Sequence, residues 1–273
     1  MKKEFKVIAE LLPNNVRVLD VGCGDGSLMS LLINEKNIDA RGLELEKENI
    51  KKCIYKGLTV IEGNAETELH QFPNQSFDFV ILSQTLQAFY NPEKVLKDLL
   101  RIGKSVVVSI PNFGYWKVRT SLLFFGKMPV TKTLPNFWYN TPNLHMCTIK
   151  DLFNFCENKN IKINKVVGVN EHKTSEIKKS NLEIKNFFSK LGIFLISYSL
   201  SIINLLPIEL IGQMVCYRSP RKGSFQIQMK QNCILITFQQ SFRLLHHQLS
   251  KSNLPVMTIQ IHLYLFGIHE VED

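Results

Sequence analysis

The chain of 273 residues lacks the short motifs of several large classes of protein. Its six cysteines include no C-x-x-C pair and no zinc spacing, so we predict no metal site. No G-x-x-x-x-G-K-[ST] loop is present, which excludes the usual site for a nucleoside triphosphate with Mg²⁺. The N-terminus has no apolar core of a signal peptide, and we therefore expect a reducing, cytoplasmic location.

Dense runs of one charge are also missing, although the formal net charge is +9. Lysine and arginine are spread through the chain, so this charge indicates a compositional bias and we predict no nucleic-acid partner. The only long apolar run, 191–206, contains Ser, Tyr and Asn and is too short for a standard membrane span. A packed or interfacial apolar helix is the preferred interpretation of that run, and we predict no membrane association.

The most informative segment is R-V-L-D-V-G-C-G-D-G-S-L, from Arg17 to Leu28, in which an apolar strand leads through a glycine loop into a helix. Gly22 and Gly24 can adopt positive φ and have no Cβ, so the loop backbone can contact a ligand. Continuous apolar character is typical of a parallel strand buried on both faces. Because ligands bind beyond the carboxyl ends of such strands, Asp20 and the glycines are predicted to line a pocket.

The spacing G-x-G-x-G differs from the G-x-G-x-x-G of dinucleotide-binding loops, which disfavours a pyrophosphate. S-adenosylmethionine, which has no phosphate, fits better. Glu44 ends the next short strand, where a carboxylate can accept from both ribose hydroxyls. Asn64 and the backbone of Ala65 follow the third strand and are predicted to meet the adenine. A tight strand-to-helix connection explains the glycine loop alone, but not the three segments together.

The pattern of apolar residues alternates between strand and helix, which predicts a doubly wound, Rossmann-like α/β sheet with helices on both faces. This domain is predicted to span residues 1–180, and residues 181–273 form an extension of unknown fold. The predicted strands are 16–21, 40–43, 59–62, 77–82, 105–110 and 161–169, and the predicted helices are 27–35, 47–55, 92–102 and 149–159.

Ser83 and Gln84 follow the fourth strand on the side of the predicted pocket. Two interpretations stay open: these side chains contact a substrate, or they cap the next helix and form a turn. The N/D-P-P-Y motif is missing at this position, which argues against methylation of exocyclic amino groups on nucleic-acid bases.

Residues 111–147 form a long insertion rich in aromatic residues and proline, which is predicted to fold over the pocket or to face a partner. Trp116 and Arg119 can hold an anionic group by ring and cation contacts, or they lie on a solvated loop face. His145 and Cys147 suggest a base and a nucleophile, but nothing in the sequence orients the pair. A structural role is the preferred interpretation for both, and His145 stays a candidate contact to a substrate or partner.

Several motifs together resemble the MetW family of methionine biosynthesis proteins, which have a class I methyltransferase fold. They are V-G-C-G-D-G-S-L, L-S-Q-T-L-Q-A, I-P-N-F-G-Y-W-K-V-R, M-P-V-T-K and W-Y-N-T-P-N-L-H-M-C-T-I, and the resemblance extends to about Val169. It implies S-adenosylmethionine or S-adenosylhomocysteine as the cofactor and homoserine O-acyltransferase as a protein partner. By position, the resemblance assigns cofactor contacts to Asp20, Gly22, Gly24, Glu44, Asn64 and Ala65, and it assigns no catalytic residue.

After about residue 170 the sequence departs from that family, and the last, antiparallel strand is not recognisable. Residues 212–217 and 233–238 are the candidates to replace it, and a fusion or a reading-frame shift would each explain the tail. Two functions stay open. The chain is an accessory protein that binds S-adenosylmethionine and supports an acyltransferase, or it is an active methyltransferase on a small acceptor. Positioning alone can supply about 7–11 kcal/mol to direct methyl transfer.

Overall fold

A computed structural model describes residues 2–131, 133–171 and 173–198, and the backbone of four later strands. The chain forms two compact units, 1–199 and 200–273. The helices of the first unit are α1 (Lys3–Leu11), α2 (Ser27–Lys36), α3 (Lys47–Tyr55), α4 (Ala65–Glu68), α5 (Pro92–Ile102), α6 (Trp116–Phe125), α7 (Ile149–Asn158) and α8 (Leu182–Phe188). Its strands are β1 (Arg17–Val21), β2 (Asp39–Glu44), β3 (Thr59–Glu62), β4 (Phe77–Ser83), β5 (Gly103–Pro111), β6 (Ile161–Val169), β7 (Thr174–Glu176) and β8 (Leu191–Tyr198).

The eight strands form one sheet in the order β3-β2-β1-β4-β5-β8-β6-β7. The strands β1 to β5 pair in parallel, whereas β8 is antiparallel to both β5 and β6. This arrangement confirms the predicted doubly wound α/β fold. The strand order reverses between β1 and β4, which is where ligands bind in open sheets of this kind.

The core lies on both faces of the sheet because successive side chains of each strand point to opposite faces. Leu19 and Val21 of β1 belong to the apolar cluster that contains α5 and α7. Val18 belongs to the cluster on the other face, with α1 and α2. By the same alternation, Asp20 lies on the face that carries α1.

The predicted apolar helix over 191–206 is wrong for its first half, because Leu191–Tyr198 forms strand β8. Phe194 and Ile196 pack on one face of the sheet and Leu191 and Ile193 on the other, so β8 is apolar on both sides. Periodicity alone cannot separate such a strand from a buried helix. The rest of that predicted helix, 199–206, lies outside the described residues.

The antiparallel strand that the sequence did not reveal is therefore β8, within the first compact unit. Neither of the two proposed replacements takes its place. The segments 212–217 and 233–238 overlap β9 (Met214–Arg218) and β11 (Ile236–Gln240). With β10 (Phe225–Met229) and β12 (Ile259–Leu263), these strands form a separate antiparallel sheet in the second unit, in the order β12-β11-β10-β9.

The first unit ends at Ser199, and not near residue 180 as the sequence suggested, because β8 belongs to its sheet. Helix α1 is a second element that the sequence analysis did not identify. Its side chains Glu4, Val7 and Ile8 are buried, at the spacing of one helix face. Within the described part of the chain, none of the helices has the length and apolar character that a bilayer span requires.

Candidate functional site

The glycine loop between β1 and α2 holds three glycines in the left-handed region, with φ of +69° at Gly22, +57° at Gly24 and +73° at Gly26. A Cβ on Gly26 would collide with Leu58, so this glycine permits close packing against the rest of the domain. A Cβ on Gly24 would meet nothing within 4 Å. The backbone of Gly24 therefore borders open space, where a ligand can approach it closely.

Glu44 at the end of β2 is buried and connects its own loop to the glycine loop. One carboxylate oxygen, Oε2, accepts from the backbone N–H of Gly24 at 2.7 Å. The other, Oε1, accepts from the N–H groups of Leu45 at 3.0 Å and Glu46 at 2.9 Å. The structure thus brings Glu44 beside Gly24, as the ends of adjacent parallel strands require. Its role toward a ribose stays a prediction.

Asp20 is the most unusual polar group of the site, because it is 2 % exposed and its Oδ1 has no hydrogen-bond partner in the described residues. Burial, together with the nearby negative charges of Glu44 and Glu4, raises the pKa of Asp20 to about 7. A buried acceptor without a partner is costly. A cationic or hydrogen-bond-donating ligand group would remove that cost.

Asn64 and Ala65 lie at the start of α4, after β3. The side-chain Oδ1 of Asn64 accepts from the backbone N–H of Glu66 at 2.9 Å and so caps the helix. The Nδ2 group of Asn64 donates to no residue in the described ranges, which leaves it free for a ligand. Gly63 joins this turn to the second strand, because its N–H donates to the carbonyl of Glu44 at 2.9 Å.

Glu4 of α1, which the sequence did not mark as a site residue, is buried beside the carboxyl ends of β4 and β5. Its Oε1 accepts from Ser83 Oγ at 2.9 Å and from Ser109 Oγ, and its Oε2 accepts from Gln84 Nε2. Ser83 and Gln84, which we predicted to face a substrate or to cap a helix, are thus bonded to α1. The apolar spacing in residues 3–11 was the available signal for the helix, but no sequence pattern points to these contacts.

The motif P-N-F-G at the end of β5 has a structural explanation in Asn112, which is buried. Its Nδ2 donates to the carbonyls of Asn186 at 2.6 Å and Ser189 at 2.7 Å. Its Oδ1 accepts from the backbone N–H groups of Gly114 and Ile149. One side chain therefore joins β5, the start of α7 and the connection from α8 to β8.

Trp116 and Arg119 of the insertion, which we predicted to hold an anionic group, make their described contacts away from Asp20. Arg119 donates from Nε to the carbonyl of Gly114 at 2.7 Å and lies 5.5 Å from the ring of Phe187, so its contacts are structural. Trp116 packs on Tyr115 at the start of α6. No hydrogen bond or ring contact among the described residues connects Trp116 or Arg119 to Asp20.

His145 and Cys147 do not form a nucleophile and base pair in this structure. The side chain of His145 is exposed, and its backbone N–H donates to the carbonyl of Gln87 at 3.1 Å. Burial raises the pKa of the Cys147 thiol to about 11, so this thiol is protonated near neutral pH. Gln87 also donates from Nε2 to Cys147 Sγ at 3.9 Å, so both residues join the end of the insertion to Gln87 of the domain.

A family model described as "Methionine biosynthesis protein MetW" matches residues 2–196. The chain belongs to the MetW family. This match extends past residue 170, where the sequence analysis placed the end of the resemblance, and it includes most of β8. The MetW-like region thus coincides closely with the first compact unit.

Two curated relatives support this assignment. The bifunctional methionine biosynthesis protein MetXA/MetW of Rhodopirellula baltica is 32 % identical over 169 residues, which cover 59 % of this chain and 27 % of the relative. Ajmaline N-methyltransferase of Rauvolfia serpentina is 26 % identical over 111 residues, which cover 37 % of this chain and 36 % of that enzyme. The chain thus spans about a quarter to a third of the length of the curated relatives it matches.

Two solved structures of similar fold are described as SAM-dependent methyltransferases. The one from Thermotoga maritima has a TM-score of 0.54 and 19 % identity, and covers 72 % of this chain and 87 % of its own. The one from Archaeoglobus fulgidus has a TM-score of 0.51 and 20 % identity, with coverage of 71 % and 90 %. At this identity the likeness shows the fold, and this MetW-family chain has the class I methyltransferase fold.

Proposed function

We propose that this protein binds S-adenosylmethionine, or its demethylated product S-adenosylhomocysteine, at the carboxyl ends of β1, β2 and β3. We propose further that it serves methionine biosynthesis as an accessory protein of homoserine O-acyltransferase. The observation that carries the ligand proposal is the buried, unpartnered Oδ1 of Asp20 beside the open space at Gly24. When bound to a methyltransferase, S-adenosylmethionine supplies an electrophilic methyl group.

The residues of the site fit an adenosine that carries a cationic amino-acid tail. The carboxylate of Glu44 suits the hydroxyls of a ribose, and the open space at Gly24 suits a ligand that lies against the backbone. The free Nδ2 of Asn64 suits an acceptor nitrogen of adenine. Asp20, in its ionised form, suits the positive charge of the tail. No phosphate-binding lysine is needed for such a ligand.

The acyltransferase partner is supported by the relative from Rhodopirellula baltica, whose name combines MetXA and MetW in one bifunctional protein. A single chain that carries both activities keeps the two domains at high effective concentration, which separate chains achieve by association. A cytoplasmic location belongs to the same proposal. It is supported by the free thiols of the described cysteines, Cys23, Cys53, Cys147 and Cys156.

The second candidate is an active methyltransferase on a small acceptor, which the similarity to ajmaline N-methyltransferase favours. Against it stands Glu4, whose carboxylate takes the hydrogen bonds of Ser83 and Gln84 at the end of β4. An acceptor that uses these side chains must first displace Glu4. The accessory role requires no such displacement, and we therefore prefer it.

Calorimetric titration with S-adenosylmethionine tests the site. We expect Asp20→Ala and Glu44→Ala each to weaken binding by about 1–3 kcal/mol, because each removes a buried polar contact. Glu48→Ala, an exposed carboxylate of α3, is the matched control and should bind like the wild type. Unchanged binding in both site variants would refute the site.

Co-expression with a homoserine O-acyltransferase tests the partnership. We expect the two proteins to copurify, and we expect no methyl turnover on small acceptors. Failure to copurify, combined with methyl turnover on any small acceptor, would favour the second candidate. Binding of S-adenosylmethionine is measured on the same preparation, so that the two halves of the proposal are judged separately.

A further inference from the structure

The insertion exposes an apolar surface at the end of α6 and in a separate turn at residues 138–140. Five large side chains there are 68 to 76 % exposed, and together they are called the aromatic face: Leu123, Phe124, Phe125, Trp138 and Tyr139. Side chains of this size carry about 150–250 Å² each, so the aromatic face presents roughly 500–900 Å² of apolar surface. Monomeric proteins rarely expose a contiguous apolar patch of that size.

The two parts of the aromatic face adjoin one another. A groove of about 490 Å³ runs along the end of α6 and is lined by Phe125, Met128 and Pro129. Met128 and Pro129 also line a second, smaller pocket beside Trp138. The ring of Tyr139 stacks on Phe137 at 5.6 Å and meets Trp138 edge-on at 5.7 Å. The exposed rings are therefore held in place by one another.

The segment that carries this face has charge of a single sign in its sequence. Residues 111–147 contain no aspartate or glutamate but contain Lys117, Arg119, Lys127 and Lys132. Lys117 and Lys127 line the groove beside the apolar side chains. Lys117 shares the groove with Phe125 and so lies at the edge of the face, and its Nζ is 5.5 Å from the ring of Trp116. The surface is thus apolar at its centre and basic at its rim.

We propose that the aromatic face is the docking site for an acidic, apolar surface on the acyltransferase partner. This inference rests on the partnership proposed above and adds the surface that forms it. The exposed area matches the roughly 800 Å² that each partner contributes to a specific interface of ordinary size. Aromatic and arginine-rich centres with charged rims are typical of such interfaces. Electrostatic complementarity requires acidic groups on the partner.

A second copy of this chain fits the face less well. In a two-fold symmetric dimer the same patch lies on both sides of the interface, so the lysines of one copy would face those of the other. Like charges in apposition oppose association. A heterologous partner with carboxylates at the matching positions removes this repulsion.

An anionic membrane shares the required chemistry of apolar and acidic groups, but the shape of the face favours a protein. Interfacial membrane helices align their apolar residues along one side. Here Leu122 to Phe125 are consecutive residues of the last turn of α6, and Trp138 and Tyr139 come from a separate segment. A folded partner can follow such an irregular surface.

The test uses the full chain, co-expressed and titrated with a homoserine O-acyltransferase. The double variant Phe125→Asp/Trp138→Asp changes the two sides of the face that adjoin at Met128 and Pro129. Tyr55→Asp/Tyr90→Asp is its matched control at exposed aromatic residues elsewhere. The double variant Lys117→Glu/Lys127→Glu reverses the charge of the rim. Its matched control is Lys162→Glu/Lys165→Glu, which changes the net charge equally at exposed lysines.

We expect both face variants to weaken partner binding by about thirtyfold or more and both controls to stay within about twofold. All four variants should bind S-adenosylmethionine with the affinity of the wild type. Unchanged affinity shows that the variants are folded. Face variants that bind the partner like the wild type overturn this inference and leave the partnership intact. A wild type that binds no acyltransferase overturns both. The wild type and the face variants are also tested on vesicles of phosphatidylcholine and phosphatidylglycerol. If the face variants lose vesicle binding but keep partner binding, the face contacts a membrane, and the inference is overturned.

Discussion

Glu4 and Ser109 are separated by 105 residues, yet the carboxylate of Glu4 accepts a hydrogen bond from the Ser109 hydroxyl inside the domain. Ser109 is fully buried in β5, and Glu4 is 6 % exposed. Helix α1 is therefore joined to the sheet by polar contacts as well as by its apolar side chains. These contacts lie at the end of the sheet where we place the ligand.

The first prediction concerns this connection. Glu4→Ala leaves the hydroxyls of Ser83 and Ser109 without their acceptor, so the free energy of unfolding should fall by about 1–3 kcal/mol. Urea denaturation of the full chain measures the change. Glu10→Ala, at an exposed carboxylate of the same helix, is the control and should unfold like the wild type. Equal stability of the two variants would show that Glu4 does not hold α1 in place.

The second prediction separates the conformational role of Gly24 from its contact with a ligand. Gly24 and Gly57 both have positive φ, +57° and +72°, and a Cβ on either meets nothing within 4 Å. Alanine at either position should therefore lower the free energy of unfolding by about 1–2 kcal/mol. Only Gly24→Ala should also weaken binding of S-adenosylmethionine, because its Cβ would occupy the space beside the site.

Thermal unfolding and calorimetric titration of the two glycine variants, side by side, provide the measurement. If Gly24→Ala binds S-adenosylmethionine as tightly as Gly57→Ala does, the ligand does not approach the glycine loop. The proposed site would then be wrong whatever the stability of the variants.

The third prediction follows from the raised pKa of Asp20, about 7 in the folded protein against an ordinary value of 3.8. Between these two pH values the folded chain keeps a proton that the unfolded chain releases. The contribution of Asp20 to the free energy of unfolding should therefore fall as the pH rises through this window and level off above about pH 7. Asp20→Asn should show a smaller fall, as measured by urea denaturation at several pH values.

The same titration affects ligand binding in the opposite direction. A cationic ligand favours the ionised form of Asp20, so affinity for S-adenosylmethionine should increase from about pH 6 to about pH 8. Binding below about pH 7 should release a proton, which calorimetry in buffers of different ionisation enthalpy detects. Proton release that persists unchanged in Asp20→Asn would assign the effect to another group.

The sequence predicted the elements whose signals are local. The strands β1 to β5 and the glycine loop were found because apolar periodicity and glycine spacing are properties of neighbouring residues. The approach of Glu44 to Gly24 was also predictable, since adjacent parallel strands end at one edge of the sheet. Contacts that join distant segments left no such signal. Glu4 with Ser109 and Asn112 with Asn186 are examples.

Strand β8 escaped prediction for a different reason. Its residues are apolar on both faces, which is the pattern of a buried helix as much as that of an internal strand. The missing hydrogen-bond partner of Asp20 was not predictable either. The sequence placed Asp20 at the pocket but gave no information on its hydrogen bonds. Whether a buried carboxylate has a partner depends on the packing of α1, which the sequence analysis did not identify.

The position of β8 in the sheet sets a lower limit on the length of a usable fragment. This strand pairs with β5 on one side and β6 on the other. A protein shortened to about residue 180 would lose it and would expose the backbone of both neighbours, which invites aggregation. The shortest expression product that keeps every hydrogen-bonded ladder of the first sheet ends after Tyr198.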